Sequence, residues 1–140
     1  RTAASPIVSR SAGTGDWHLG ERADHRTIDA LARRGYDGSL HRARQFTAAS
    51  FAENDLVVAL DRTHERILRE WAGDEDEDGK VTLLLAFDPD ASTHDVPDPY
   101  YAGPEMFDSV LGMIETATRG VFRQLEPALR LPRTPRAFGA

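Results

Sequence analysis

The chain contains no cysteine among its 140 residues. This excludes disulfides, thiolate-held metals and a thiol nucleophile within these residues. No run of about eighteen apolar residues occurs, so no membrane-spanning helix is legible. The opening "RTAASPIVSRSAG" has neither the apolar core of a signal peptide nor a lipidation motif. These absences lead to the expectation of a soluble, cytoplasmic protein with no membrane partner. Positive charge is also in short supply: 17 Lys and Arg stand against 23 Asp and Glu, for a net charge of -6 and a pI near 5.3. Such a chain lacks the electrostatic footprint of a nucleic-acid binder, although "LARRGYDGSLHRARQF" makes one local basic patch. Small molecules or proteins are the expected partners.

What is present is enough apolar material, 40% of residues, for one compact core but hardly two. Apolar runs bounded by polar breakers alternate with stretches of helical period, the pattern of strands joined by helical crossovers. The expected order is strand, helix, strand, helix, strand, helix. "PIVSRSAGT" reads as the first strand, and "ADHRTIDALARRG" as a helix with Asp24 as N-cap, Ile28, Leu31 and Ala32 on one face and Gly35 as the stop. "DLVVAL" and "VTLLLAF" are nearly continuous apolar runs, as strands covered on both faces should be. Between them "RTHERILREWAG" puts Ile67, Leu68 and Trp71 on one stripe. The last helix opens at Pro104 and carries Phe107, Val110, Ile114, Ala117, Val121 and Leu125 at spacings of three and four. A single domain over 1–130 is expected, followed by a loose tail over 131–140.

Parallel sheets bind ligands beyond the carboxyl ends of their strands, where loops lead into helices. The most rigidly worded of these loops holds "DVPDPYYAGPEMF". Pro97 and Pro99 fix their own backbone angles and push Val96 and Asp98 towards extended conformations. A carboxylate on a stiff loop beside Tyr100 and Tyr101 suits a general acid acting on a substrate flanked by aromatic rings. Asp98 as the cap of a turn is the competing reading, since Asp and Pro are common turn residues.

The elements "SAGTGDWHLGERADHR", "HRARQF", "DLVVALDRTH", "FDP" and "DVPDPYYAGPEMFDSVLGMIE" occur in an order and spacing that resembles the low-molecular-weight protein-tyrosine phosphatases, particularly the actinobacterial ones. The resemblance runs from about residue 7 to residue 125. It implies an α/β, three-layer fold with a parallel sheet and helices on both faces, and hydrolysis of phosphotyrosine through a cysteinyl-phosphate intermediate. By the same resemblance Asp98 matches the general acid, which protonates the leaving phenolate and then activates water. Tyr100 and Tyr101 match one aromatic wall of the substrate site, and Trp17 and His18 the opposite side. Ser11 and His41 match residues that hydrogen-bond to the phosphate-binding loop. No metal or cofactor is implied, and the implied partner is a phosphotyrosine-containing protein.

The sequence departs from the family pattern where the chemistry is centred. The family's nucleophile lies in an N-terminal loop of pattern Cys, five residues, Arg, set between a first strand and a first helix, and neither that loop nor its flanking elements can be found in "RTAASPIV". The first strand and first helix are therefore expected to be missing. A segment lying outside these residues is the favoured explanation over a natural loss. Arg10 stands where an acidic residue is usual, and Ala102 where glycine usually follows the two tyrosines. An inactive homologue that works by binding is the alternative. A rival of another class lies in "DEDEDGKVTLLL", where Asp74, Asp76, Asp78, Gly79 and Val81 fit the first eight positions of an EF-hand calcium loop, while Leu85 occupies the position of its bidentate carboxylate. A solvated acidic loop is the expected form there. The arsenate reductases that share the fold require several cysteines and lack the Asp-Pro-Tyr-Tyr element.

Overall fold

The computed structural model describes residues 7–100 and 102–130, together with the backbone but not the side chains of 129 and 130. Tyr101 and the expected tail at 131–140 lie outside the described residues. Two short strands, β1 (Val57–Ala59) and β2 (Val81–Leu83), pair in parallel with Val57 opposite Val81. The connection between them carries two helices, α3 (Arg62–Trp71) and α4 (Glu75–Lys80). Helices α1 (His25–Arg33) and α2 (Ser50–Glu53) precede the sheet, and the long helix α5 (Pro104–Arg130) follows it.

The alternation along β1 divides the core into two layers. Val57 and Ala59 join Phe51, Leu68 and Val81 on one face. Val58 packs on the other with Leu84, Leu85, Val96, Val110 and Ala117. Successive strand residues point to opposite faces, so this division places helices on both sides of a parallel sheet. The α/β architecture expected from the sequence is therefore observed.

Local signals account for most helix ends. Asp24 accepts a hydrogen bond from the Arg26 backbone N–H at 2.9 Å, the expected N-cap of α1. Gly35 ends that helix at φ 84°, a conformation open mainly to glycine, and its N–H reaches Ala32 O at 3.0 Å. On α3, Leu68 is buried with Ile67 and Trp71 half-buried beside it. Helix α5 begins at Pro104 and buries Phe107, Val110 and Ala117 of its expected stripe.

Four expectations are corrected. The run at residues 7–13 forms no strand: its one backbone bridge among the described residues is Gly13–Gln45, Arg10 adds an ion pair to Glu53 at 4.0 Å, and Ile7 and Val8 are exposed. A strand exists only as part of a ladder, and one rung does not make one. The run "VTLLLAF" stays extended only to Leu83 and then tightens into a 3-10 turn over Leu84–Phe87. Both Leu84 and Leu85 are buried in the same cluster against α5, which the two-sided alternation of a strand forbids. On α1, Ala32 is exposed and Ala30 is buried instead. The side chains of Arg33 and Arg34 tie that helix to Asp108 and Glu115 of α5, and this docking sets its rotation.

The fourth correction concerns the acidic stretch, which forms neither the expected solvated loop nor the rival calcium loop. Asp74 is the N-cap of α4, accepting from Glu77 N–H at 2.8 Å, and Asp76, Asp78 and Gly79 lie within the helix. Asp78 meets Arg69 at 3.0 Å, and Glu77 accepts from Gly73 N–H at 2.8 Å. Helical backbone cannot wrap oxygens around a cation as the irregular calcium loop does. The expected solvated loop is likewise replaced by a capped helix. Among the described residues no group of three or more acidic or histidine side chains is placed to hold a metal ion.

Candidate active site

The loop after the 3-10 turn is fixed at its centre before it reaches Asp98. Val96 is buried in the second core layer, and its N–H donates to Leu60 O at 2.8 Å, just past the end of β1. Asp95 accepts from the Arg62 backbone N–H at 2.8 Å and from its guanidinium at 3.2 Å. Those bonds hold its carboxyl below the usual range, the backbone N–H at the start of α3 being the larger cause. Asp61 caps the same helix end by accepting from His64 N–H at 2.7 Å. Two carboxylates thus satisfy separate orphan donors of α3.

Asp98 is exposed. Its Oδ1 accepts from Tyr100 N–H at 3.0 Å, and Ala102 N–H closes the next turn onto Pro99 O at 2.9 Å. The turn-capping role is therefore real, and it occupies one carboxyl oxygen with a donor. No non-glycine residue among those described has positive φ, so Ala102 takes the place of the usual glycine without strain.

Helix α1 brings Arg26 to the loop of Asp98, where it meets Tyr100 of the loop and Phe107 of α5. Arg26 Cζ lies 5.4 Å from the centre of the Tyr100 ring and 4.9 Å from that of Phe107, within the range of cation–π attraction to both. Its Nη1 reaches Ala102 O at 3.5 Å, the outer limit of a hydrogen bond. The guanidinium also binds both oxygens of Asp24, at 3.1 and 3.0 Å, and these bonds bring the Asp24 carboxyl down to about 2.

Of the residues named from the sequence, the structure joins Asp98 to Tyr100 directly. Trp17 is 75% exposed, and its ring folds over Gly15 and meets the His18 ring edge-on at 6.4 Å. His18 Nδ1 pairs with Glu21 at 2.9 Å. His41 lines an open cleft of about 410 Å³ with Glu21, Arg22, Asp24 and Thr27. Ser11 is exposed on the segment leading to the Gly13 bridge. Arg26, Phe107 and the Asp95–Arg62 clamp were not legible beforehand. Arg26 stands 76 positions from Ala102, and no local spacing links them.

Comparison with known proteins identifies the family. The family profile described as low molecular weight phosphotyrosine protein phosphatase matches residues 3–130. A low molecular weight protein-tyrosine-phosphatase of Streptomyces coelicolor is 50% identical over 117 residues, covering 82% of this chain and 71% of that protein. The low molecular weight protein-tyrosine phosphatase A of Mycobacterium tuberculosis is 44% identical over 113 residues, 79% of this chain and 66% of its own. The crystal structure of the protein tyrosine phosphatase from Entamoeba histolytica superposes with a TM-score of 0.78 at 29% identity, covering 84% of this chain and 74% of that one.

Proposed function

Because the chain belongs to the low molecular weight phosphotyrosine protein phosphatase family, we propose that it serves the hydrolysis of phosphotyrosine in protein substrates, with Asp98 as general acid. The observation that carries this reading is the presentation of Asp98: an exposed carboxyl on a loop held by Asp95 and Val96 before it and by the turn at Ala102 after it. A phenolate leaves slowly at neutral pH without a proton donor, because its conjugate acid has a pKa of about 10. A positioned carboxyl supplies that proton and can then take one from the attacking water. Tyr100, Tyr101, Trp17 and His18 serve as the walls beside the substrate ring, and Ser11 and His41 as supports of the phosphate-binding loop.

The cysteinyl-phosphate route implied by the family uses a thiolate to attack phosphorus, and these 140 residues contain no cysteine. The residues present furnish the leaving-group side of the reaction, and the nucleophile has to come from outside them. The same lack is the observation behind the second reading, a homologue that binds without turnover. Both readings are separated by assaying p-nitrophenyl phosphate with these residues alone and with the protein extended through the coding sequence that adjoins Arg1. The first is inactive. The second is active if the extension encodes Cys, five residues, Arg; an extension without it selects the binding role.

In the active protein Asp98→Asn slows aryl phosphates with poor leaving groups by about 10² to 10⁴, and the loss shrinks as leaving-group pKa falls. Asparagine keeps an oxygen to accept from Tyr100 N–H, so the turn survives and the assay reads the proton. A loss independent of leaving group would reduce Asp98 to a turn cap.

A further inference from the structure

Arg26 is the point at which α1 meets the loop of Asp98. Five contacts with four residues converge on one guanidinium: the two oxygens of Asp24, the Ala102 carbonyl, the Tyr100 ring and the Phe107 ring. The pairing with Asp24 fixes the guanidinium plane at the start of α1. The Phe107 ring, itself 6% exposed, lies in the first turn of α5. A planar cation fixed over a buried ring gives a second ring within its reach a defined neighbour. Tyr100, 54% exposed, is that second ring. Holding a tyrosine ring in one position on a loop costs side-chain entropy, which contacts such as this one offset.

We propose that Arg26 is the positioning residue of the acid loop: lying over the rings of both Phe107 and Tyr100 and reaching Ala102 O, it sets where the Tyr100 ring stands on the loop of Asp98, and so sets the preference for aryl over alkyl phosphate esters. The inference rests on the phosphatase reading for what the loop selects, but not for how the loop is held. Arginine is required because its planar face stacks while its edge bonds a carboxylate. Lysine would keep the charge opposite Asp24 and lose the flat face.

The test has a loop arm and a selection arm. In the 140-residue chain, amide exchange of Ala102 and the ring resonances of Tyr100 are followed by NMR in the parent, Arg26→Lys and Phe107→Leu. In both variants exchange at Ala102 is expected to rise about tenfold or more as the turn opens locally, with Tyr100 resonances moving towards those of free tyrosine. Global thermal midpoints are monitored alongside, and Phe107→Leu serves as an independent probe if Arg26→Lys fails to fold. Full retention of Ala102 protection in Arg26→Lys would overturn the proposal, because a role through charge alone is rescued by lysine.

In the thiolate-bearing protein, Arg26→Lys is expected to lower the ratio of kcat/KM for aryl over alkyl phosphates about tenfold, the scale of one misplaced contact. The Asp98 leaving-group dependence persists. An unchanged ratio with a loosened loop would overturn the inference and leave the phosphatase reading intact. A flat Asp98→Asn profile would sink that reading while the loop arm still reports on Arg26.

Discussion

Substituting Gly120 with alanine sets two effects of opposite sign against each other. Gly120 lies inside α5, where alanine is favoured over glycine by about 1 kcal/mol on backbone entropy alone. The structure gives the opposite sign. A Cβ at this position would overlap the Phe87 carbonyl oxygen and stand 2.9 Å from its carbon and 3.2 Å from the Phe87 Cβ. The obstacle is backbone in the 3-10 turn, so no rotamer change relieves it, and either the turn or the helix must move. Overpacking of this kind costs roughly 1–3 kcal/mol, and a backbone obstacle belongs at the upper end. The net expectation for Gly120→Ala is a loss of about 1–2 kcal/mol, or roughly 3–10 °C in thermal midpoint for a chain of this size.

Gly112→Ala on the same helix is the control. Its Cβ would meet only the Arg34 Nη2 at 3.6 Å, an ordinary contact, so the propensity gain of up to about 1 kcal/mol should survive. Urea unfolding at neutral pH, with midpoint and slope read separately, distinguishes the two variants. Gly120→Ala equal to or more stable than the parent would refute the close packing of α5 on the turn. The outcome bears on the site, because the loop that carries Asp98 begins at Asp88, directly after that turn.

Millimolar calcium is expected to leave the thermal midpoint unchanged, since Asp74, Glu77 and Asp78 are already engaged by the backbone N–H groups of Glu77 and Gly73 and by Arg69; a rise of several degrees that disappears in Asp76→Ala would revive the cation-binding loop. Acid should weaken the α1 cap with a definite sign. The Asp24 carboxyl falls from 3.8 to about 2 on folding, chiefly through the Arg26 side chain, so its contribution is complete above about pH 4 and is lost as pH falls towards 2. Comparing parent with Asp24→Asn, a stability gap of about 1 kcal/mol at pH 6 should close near pH 2, and a gap that widened in acid would contradict the assignment.

The sequence by itself determined what depends on near neighbours. Asp24 and Gly35 bound α1 because a cap bonds an N–H two residues on and a left-handed stop needs only its own missing side chain. The stripe of α5 was legible because helical period repeats within one element. The order of "DWH", "HRARQF" and "DPYY" carried the family, since that is a property of the chain as a string. Other features depended on residues distant in sequence. The run at 7–13 has strand character but lacks a ladder, and pairing is a property of two segments. Burial of Leu84 and Leu85 on one side turned an apparent strand into a 3-10 turn. The acidic stretch read as a loop from its charge, yet Asp74 capping and Arg69 from the preceding helix made it helical. Arg26 looked like an ordinary residue of a helix start until folding brought Tyr100, Ala102 and Phe107 around it. Packing of this kind belongs to tertiary structure because its energy arises from groups that meet only when distant parts of the chain are already in place.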